Sequence, residues 1–176
     1  MKSKINNLSI AALLFTVVLI AGCSSITVNQ DYDASFDFSQ WKNYGFLPIP
    51  ESAGIDQLSA DKLSNAIKRN LNAKGYKDEQ PSDFGIALHF GQKTVTDIQS
   101  YGYGYGWYGG GIDVTQYQQG TLIVDFIDMK TNKLEWRGTA QGVMADNPSM
   151  EEKTATIDSA ISQVLAPFPP DKMKQQ

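Results

Sequence analysis

Catalysis and metal binding need several protonatable, nucleophilic or coordinating groups at useful spacing, and this chain has one histidine, His89, and one cysteine, Cys23. No H-E-x-x-H or G-x-S-x-G arrangement accompanies them, so neither a metal site nor a nucleophilic triad is assigned. A hydrolase working through a solitary His89 is therefore the weakest functional expectation. Asp125 and Asp128 lie three apart, and paired carboxylates can divide acid and base roles. Within a strand, positions three apart face opposite sides. The expected roles are structural: Asp125 in a cross-strand ion pair with Arg137, and Asp128 capping a turn.

Gly104-Tyr105-Gly106-Trp107-Tyr108-Gly109 matches the pattern G-x-G-x-x-G. A dinucleotide fingerprint needs a helix after it and small residues against the pyrophosphate, whereas here aromatics intervene and another strand follows. No cofactor is expected. The surrounding segment, 101–111, contains only glycine, tyrosine and tryptophan. It reads as a loop whose Tyr101, Tyr103, Tyr105, Trp107 and Tyr108 suit stacking on a glycan, a lipid headgroup or a partner protein. A low-complexity insertion without a specific ligand is the simpler reading, and it is preferred.

The elements that must position these residues follow from periodicity. Ile26 to Phe38 alternates imperfectly, and Asn43 to Leu47 forms a second short strand; between them Phe38 and Trp41 sit as aromatic plugs of a turn. Leu58, Leu63, Ala66, Ile67 and Leu71 recur at helical spacing, with Ser59 as the expected N-cap and Gly75 as the left-handed stop. From Phe84 the period becomes two, placing Phe84, Ile86, Leu88 and Phe90 inward and His89 away from the core. Leu122, Val124 and Phe126 point inward on the next strand. Leu134, Trp136, Gly138 and Ala140 do so on the third, against outward Glu135 and Arg137.

Residues facing each other across an antiparallel pair share a face, so Phe126 should oppose Trp136 and Asp125 should oppose Arg137. This leaves Lys130-Thr131-Asn132 as a three-residue loop ending in a left-handed Asn132. Ser149 and Glu152 are spaced as a capping box for a last helix through Ile157, Ile161, Val164 and Leu165. Pro167 stops it, and Pro167 to Pro170 should be extended. The expected fold class is α+β, in the order β-β-α-β-β-β-α, with two helices packed on one face of a largely antiparallel sheet.

The amino terminus carries Lys2 and Lys4, an apolar run of 13 residues from Leu8 to Ile20, and then Ala21-Gly22-Cys23. The run is too short for a lasting bilayer span, which takes roughly 20 residues, and the arrangement is that of a signal peptide. Leu19-Ile20-Ala21-Gly22-Cys23 resembles the lipobox of bacterial lipoproteins. The resemblance implies that residues 1–22 are removed and that Cys23 is acylated. In a two-membrane host, Ser24 then directs sorting to the outer membrane, facing the periplasm. Residues 23–25 form a short tether, 26–170 a single domain and 171–176 a frayed tail.

Asp37-Phe38-Ser39-Gln40-Trp41-Lys42-Asn43-Tyr44, Lys74-Gly75-Tyr76 with Asp83-Phe84, Gly120-Thr121-Leu122 with Asp128, Trp136-Arg137-Gly138 and Phe168-Pro169-Pro170 resemble, in this order, the bacterial lipoproteins of the domain of unknown function 4136. The resemblance supports location and fold and supplies no catalytic residues. With 15 Lys plus Arg against 19 Asp plus Glu in 176 residues, net -4, no basic surface is available for a nucleic acid. Removal of residues 1–22 takes Lys2 and Lys4 but no acidic group, so membrane contact should come from the lipid on Cys23 rather than from charge. The expected function is a non-enzymatic interaction module of the envelope, meeting a protein or cell-wall partner. The alternative is a periplasmic carrier or sensor for a small lipid or glycan.

Overall fold

The computed structural model describes residues 26–50, 54–100 and 112–170. The elements are β1 (Thr27–Tyr32), a 3-10 turn (Phe38–Gln40), β2 (Asn43–Phe46), α1 (Gln57–Ala73), β3 (Lys77–Asp78), β4 (Phe84–Ser100), β5 (Ile112–Asp128), β6 (Lys133–Met144) and α2 (Met150–Leu165). They form an α+β fold around one six-stranded sheet in the order β1-β6-β5-β4-β2-β3. The sheet is mixed: β2 runs parallel to both β3 and β4, while the other neighbours are antiparallel. The physical reason is the helix. A chain that leaves β2, crosses through α1 and returns to the same sheet arrives parallel, as in any β-α-β crossover. The two-residue β3 is an addition to the expected order.

Both helices begin as electrostatics requires, with a side-chain oxygen accepting from an otherwise orphaned N–H. On α2 the cap is the Ser149–Glu152 box. On α1 the cap is Asp56 and not Ser59: the Ser59 amide and hydroxyl both donate to the Asp56 carboxylate. Serine satisfies the cap pattern equally well in sequence, but the helix starts one turn earlier. Gly75 ends this region with φ +92°. Lys68–Asp78 and Arg69–Asp158 then tie α1 to β3 and to α2.

The core lies between the helices and one face of the sheet. Leu63, Ile67 and Leu71 of α1 and Ile161, Val164 and Leu165 of α2 pack over the even-numbered residues of β4, β5 and β6. Gly138 allows α2 its close approach, since a Cβ there would lie 2.5 Å from Val164 Cγ1 and closer still to the Trp136 ring. Phe168 corrects the expectation of an extended tail. Its N–H donates to the Leu165 carbonyl and its ring, 1% exposed, plugs the centre of the core.

Between β5 and β6 the chain departs from the simple hairpin. Asp128 pairs with Lys133, so the loop is Met129–Asn132, one residue longer than expected, with Asn132 at φ +55°. A β-bulge between Phe126 and Ile127 absorbs the extra residue, and Asp125 still pairs with Arg137. The bulge also inverts the parity beyond it. Leu134, expected inward, is 45% exposed, and Glu135, expected outward, is 4% exposed.

Candidate functional site

Odd-numbered residues line the sheet face turned away from the helices. Ala87, Asp125, Arg137 and Asp31 stand side by side across β4, β5, β6 and β1. The Arg137 guanidinium meets Asp125 bidentately, with Nε and Nη2 each 2.7 Å from a carboxylate oxygen. Such a fork is the strong form of the ion pair. Its hydrogen bonds to Asp125 hold the Arg137 pKa above its ordinary value, and Asp31 adds to the effect. Asp125 is 4% exposed although it belongs to the open face, because its neighbours cover it.

His89 is not solitary. Its Nε2 lies 3.7 Å from Asp125 Oδ2, and its side chain is half exposed. Sequence alone missed this because His89 and Asp125 are cross-strand diagonal neighbours, a relation fixed only by the register of β4 on β5. The group is an imidazole beside an ion-paired carboxylate. It can offer hydrogen bonds to a docking surface. Among the described residues, no hydroxyl or thiol is hydrogen-bonded to His89 as a triad requires. Nor do three or more His, Cys, Asp or Glu side chains gather there as a metal-binding group.

Beside this polar row the same face is apolar. Leu47 and Met129 lie over Gly85, where a Cβ would approach both within 3.0 Å. Gly85 pairs with Ile127 and Ile127 with Leu134, so these residues form a continuous strip across three strands. Met129 and Leu134 are each 45% exposed.

Asp128 belongs to the other face. It is 3% exposed. Its Oδ1 accepts from the Lys130 amide and from the Thr131 amide and hydroxyl, and its Oδ2 from the Trp41 indole N–H at 3.2 Å. Burial pushes this carboxyl up, but the Thr131, Trp41 and Lys130 hydrogen bonds outweigh it and leave the pKa below 3.8. Trp41 in turn stacks on Phe84 with ring centroids 4.5 Å apart. Nothing in local sequence links Trp41 to Asp128, 87 residues away. Glu135 takes the opposite shift: burial raises its pKa, with Asp33 and Asp128 repelling its charge and Lys133 partly offsetting them.

Cys23 and Ser24, and the aromatic set Tyr101, Tyr103, Tyr105, Trp107 and Tyr108, lie outside the described residues. Among the described residues no helix is long and apolar enough to cross a membrane.

A six-stranded mixed sheet with two helices on one face defines a small α+β domain. Its sequence matches the model described as Domain of unknown function (DUF4136) over residues 28–170, and the chain belongs to that family. Among solved structures it is similar to a PDZ domain protein from Parabacteroides distasonis, at 12% identity and TM-score 0.57, covering 83% of this chain and 36% of that one. The chain therefore spans about a third of that protein's length. It is also similar to a dodecameric PelC variant from Paraburkholderia phytofirmans, at 13% identity and TM-score 0.50, covering 81% of this chain and 95% of that one. At such identities the likeness is one of fold. No curated protein matches the sequence.

Proposed function

We propose that the protein is a lipid-anchored module of the bacterial envelope, acylated at Cys23, held at the periplasmic face of the outer membrane and acting through non-enzymatic contacts. The observation that carries the interaction reading is the contrast in filling between the two sides of the sheet. On the helix side, rings of Trp41, Phe84, Phe126, Trp136 and Phe168 occupy the space where a carrier would hold a ligand. On the other side, Met129 and Leu134 present apolar surface next to the Asp125–Arg137 pair. An apolar strip rimmed by polar groups is the usual composition of a protein contact. A cell-wall glycan is the other partner class compatible with this mixture.

The anchoring part is tested by Cys23→Ser with fatty-acid labelling: the variant should lose the label and leave the membrane fraction or stay unprocessed. A mature amino terminus other than Cys23 would overturn it. The contact surface is tested by a photo-crosslinker placed at Leu134 in intact cells, with Leu58, 68% exposed and outside the strip, as the control. A partner captured from position 134 and not from 58 is expected. Equal capture from both positions would remove the strip from consideration.

A further inference from the structure

β4 extends far beyond the chain that covers its outer edge. β2 pairs with it only at Phe84, Gly85 and Ile86. Past that, the Leu47 amide donates to the Ile86 carbonyl, and Gly54 lies against the Phe90 carbonyl, 2.8 Å from where its Cβ would be. Ile86 and Phe90 thus turn their carbonyls to this side. Peptide groups alternate along a strand, so Gln92, Thr94, Thr96, Ile98 and Ser100 turn theirs the same way. Among the described residues no strand pairs with them, since from Ala87 to Ser100 the partner of β4 is β5 alone. β5 in turn has no β6 beside it before Gln118. The end of the arm is therefore a two-stranded ribbon. Such ribbons are marginal in water, and a long unpaired edge is a template for another strand.

We propose that this edge pairs, antiparallel, with the same edge of a second copy of the chain about a two-fold axis at Val95. What selects a second copy is the order Lys93-Thr94-Val95-Thr96-Asp97, which reads alike in both directions except that its ends carry opposite charges. Centred on Val95, the two-fold brings Lys93 of each copy opposite position 97 of the other, and Thr94 opposite Thr96. A centre one residue away on either side loses both matches. The hydrogen-bond phase agrees: Thr94 and Thr96 have their peptide groups on the free edge and form the hydrogen-bonded pairs, leaving Val95 opposite itself in a non-hydrogen-bonded pair. The outer edge of β5 offers no such match, since its stretch Ile112–Tyr117 contains Asp113 and no cation. Pairing about a two-fold is isologous and closes after two copies. The inference does not depend on acylation or on the contact strip.

The test uses the full chain with Val95→Cys under oxidising conditions, wild type reporting any linkage through Cys23. Cα atoms of a non-hydrogen-bonded pair lie about 4.5 Å apart, within disulfide range. Most of the Val95→Cys protein should run as a disulfide-linked dimer of itself. Lys93→Cys should not, because the two copies of that residue are offset by roughly 13 Å along the strands. Independently, Lys93→Asp should weaken self-association in sedimentation by about tenfold, and adding Asp97→Lys should restore it. Three results would overturn the proposal: crosslinking of Val95→Cys no greater than that of Lys93→Cys, linkage to a protein of another mass, or self-association indifferent to Lys93→Asp.

Discussion

The two faces of the sheet are made from alternate residues of the same strands, yet they use side chains in opposite ways. On the helix side Phe168 sits among Trp41, Phe84, Phe126 and Trp136, with centroids 4.7 Å from Phe126 and 5.2 Å from Trp136. Trp41 and Asp128 close that side with a buried indole-to-carboxylate hydrogen bond. On the open side the polar row of Asp31, Arg137 and Asp125 runs beside a half-exposed histidine and an apolar strip. Within the motifs that resemble the family, the buried residues Phe38, Trp41, Phe84, Asp128, Trp136, Gly138 and Phe168 belong to the first side. They are signatures of a scaffold. Arg137, from the same motifs, lies on the open face and is engaged in the polar row.

The aromatic side should be the main source of stability. Phe168→Ala should cost about 3–5 kcal/mol, the range for removing a buried ring from a packed core, and urea unfolding should show it as a lower midpoint at unchanged slope. A loss below about 1 kcal/mol would mean that the tail is merely resting on the domain.

Asp128→Ala should come next, at about 2 kcal/mol, since it removes charge-assisted hydrogen bonds from the turn and from Trp41. Because the folded carboxyl titrates below its ordinary value of 3.8, its contribution is present above that value and is lost as pH falls through the folded pKa. Thermal melts of wild type and variant should therefore differ at neutral pH and converge in strong acid. A difference independent of pH would assign the effect to packing alone.

The open side should give smaller numbers. A double-mutant cycle on Asp125 and Arg137 should show coupling of about 1 kcal/mol, weakened by salt, as for a bidentate pair of which one member is half-exposed. Zero coupling would remove the energetic reason for the row. Smallest of all, His89→Ala should shift stability by less than about 0.5 kcal/mol, because a half-exposed imidazole 3.7 Å from a carboxylate already satisfied by Arg137 adds little. If crosslinking from position 134 in cells is altered while melting is not, the histidine belongs to the contact surface.

Periodicity in this chain determined what each element is and which face it buries: the even residues of β4 and β5, the helical stripes of α1 and α2, the Ser149–Glu152 cap and the left-handed Asn132 all follow from local sterics and hydrogen bonding. These are short-range effects, and a sequence states them directly. Where elements meet was decided only in three dimensions. Placing β2 parallel to β4, carrying Phe168 into the core, and joining Trp41 to Asp128 depend on segments far apart in the chain finding mutual burial. The β5–β6 hairpin shows the limit most clearly. Its Asp125–Arg137 register would also follow from a three-residue loop, but the molecule reaches it by a four-residue loop and a compensating bulge. Leu134 and Glu135 therefore exchange sides, one joining the exposed strip and the other becoming a buried carboxyl of raised pKa. A one-residue slip in a period-two pattern inverts everything between loop and bulge, and only the packing of Trp136 and Phe126 on the helices decides where the slip is absorbed.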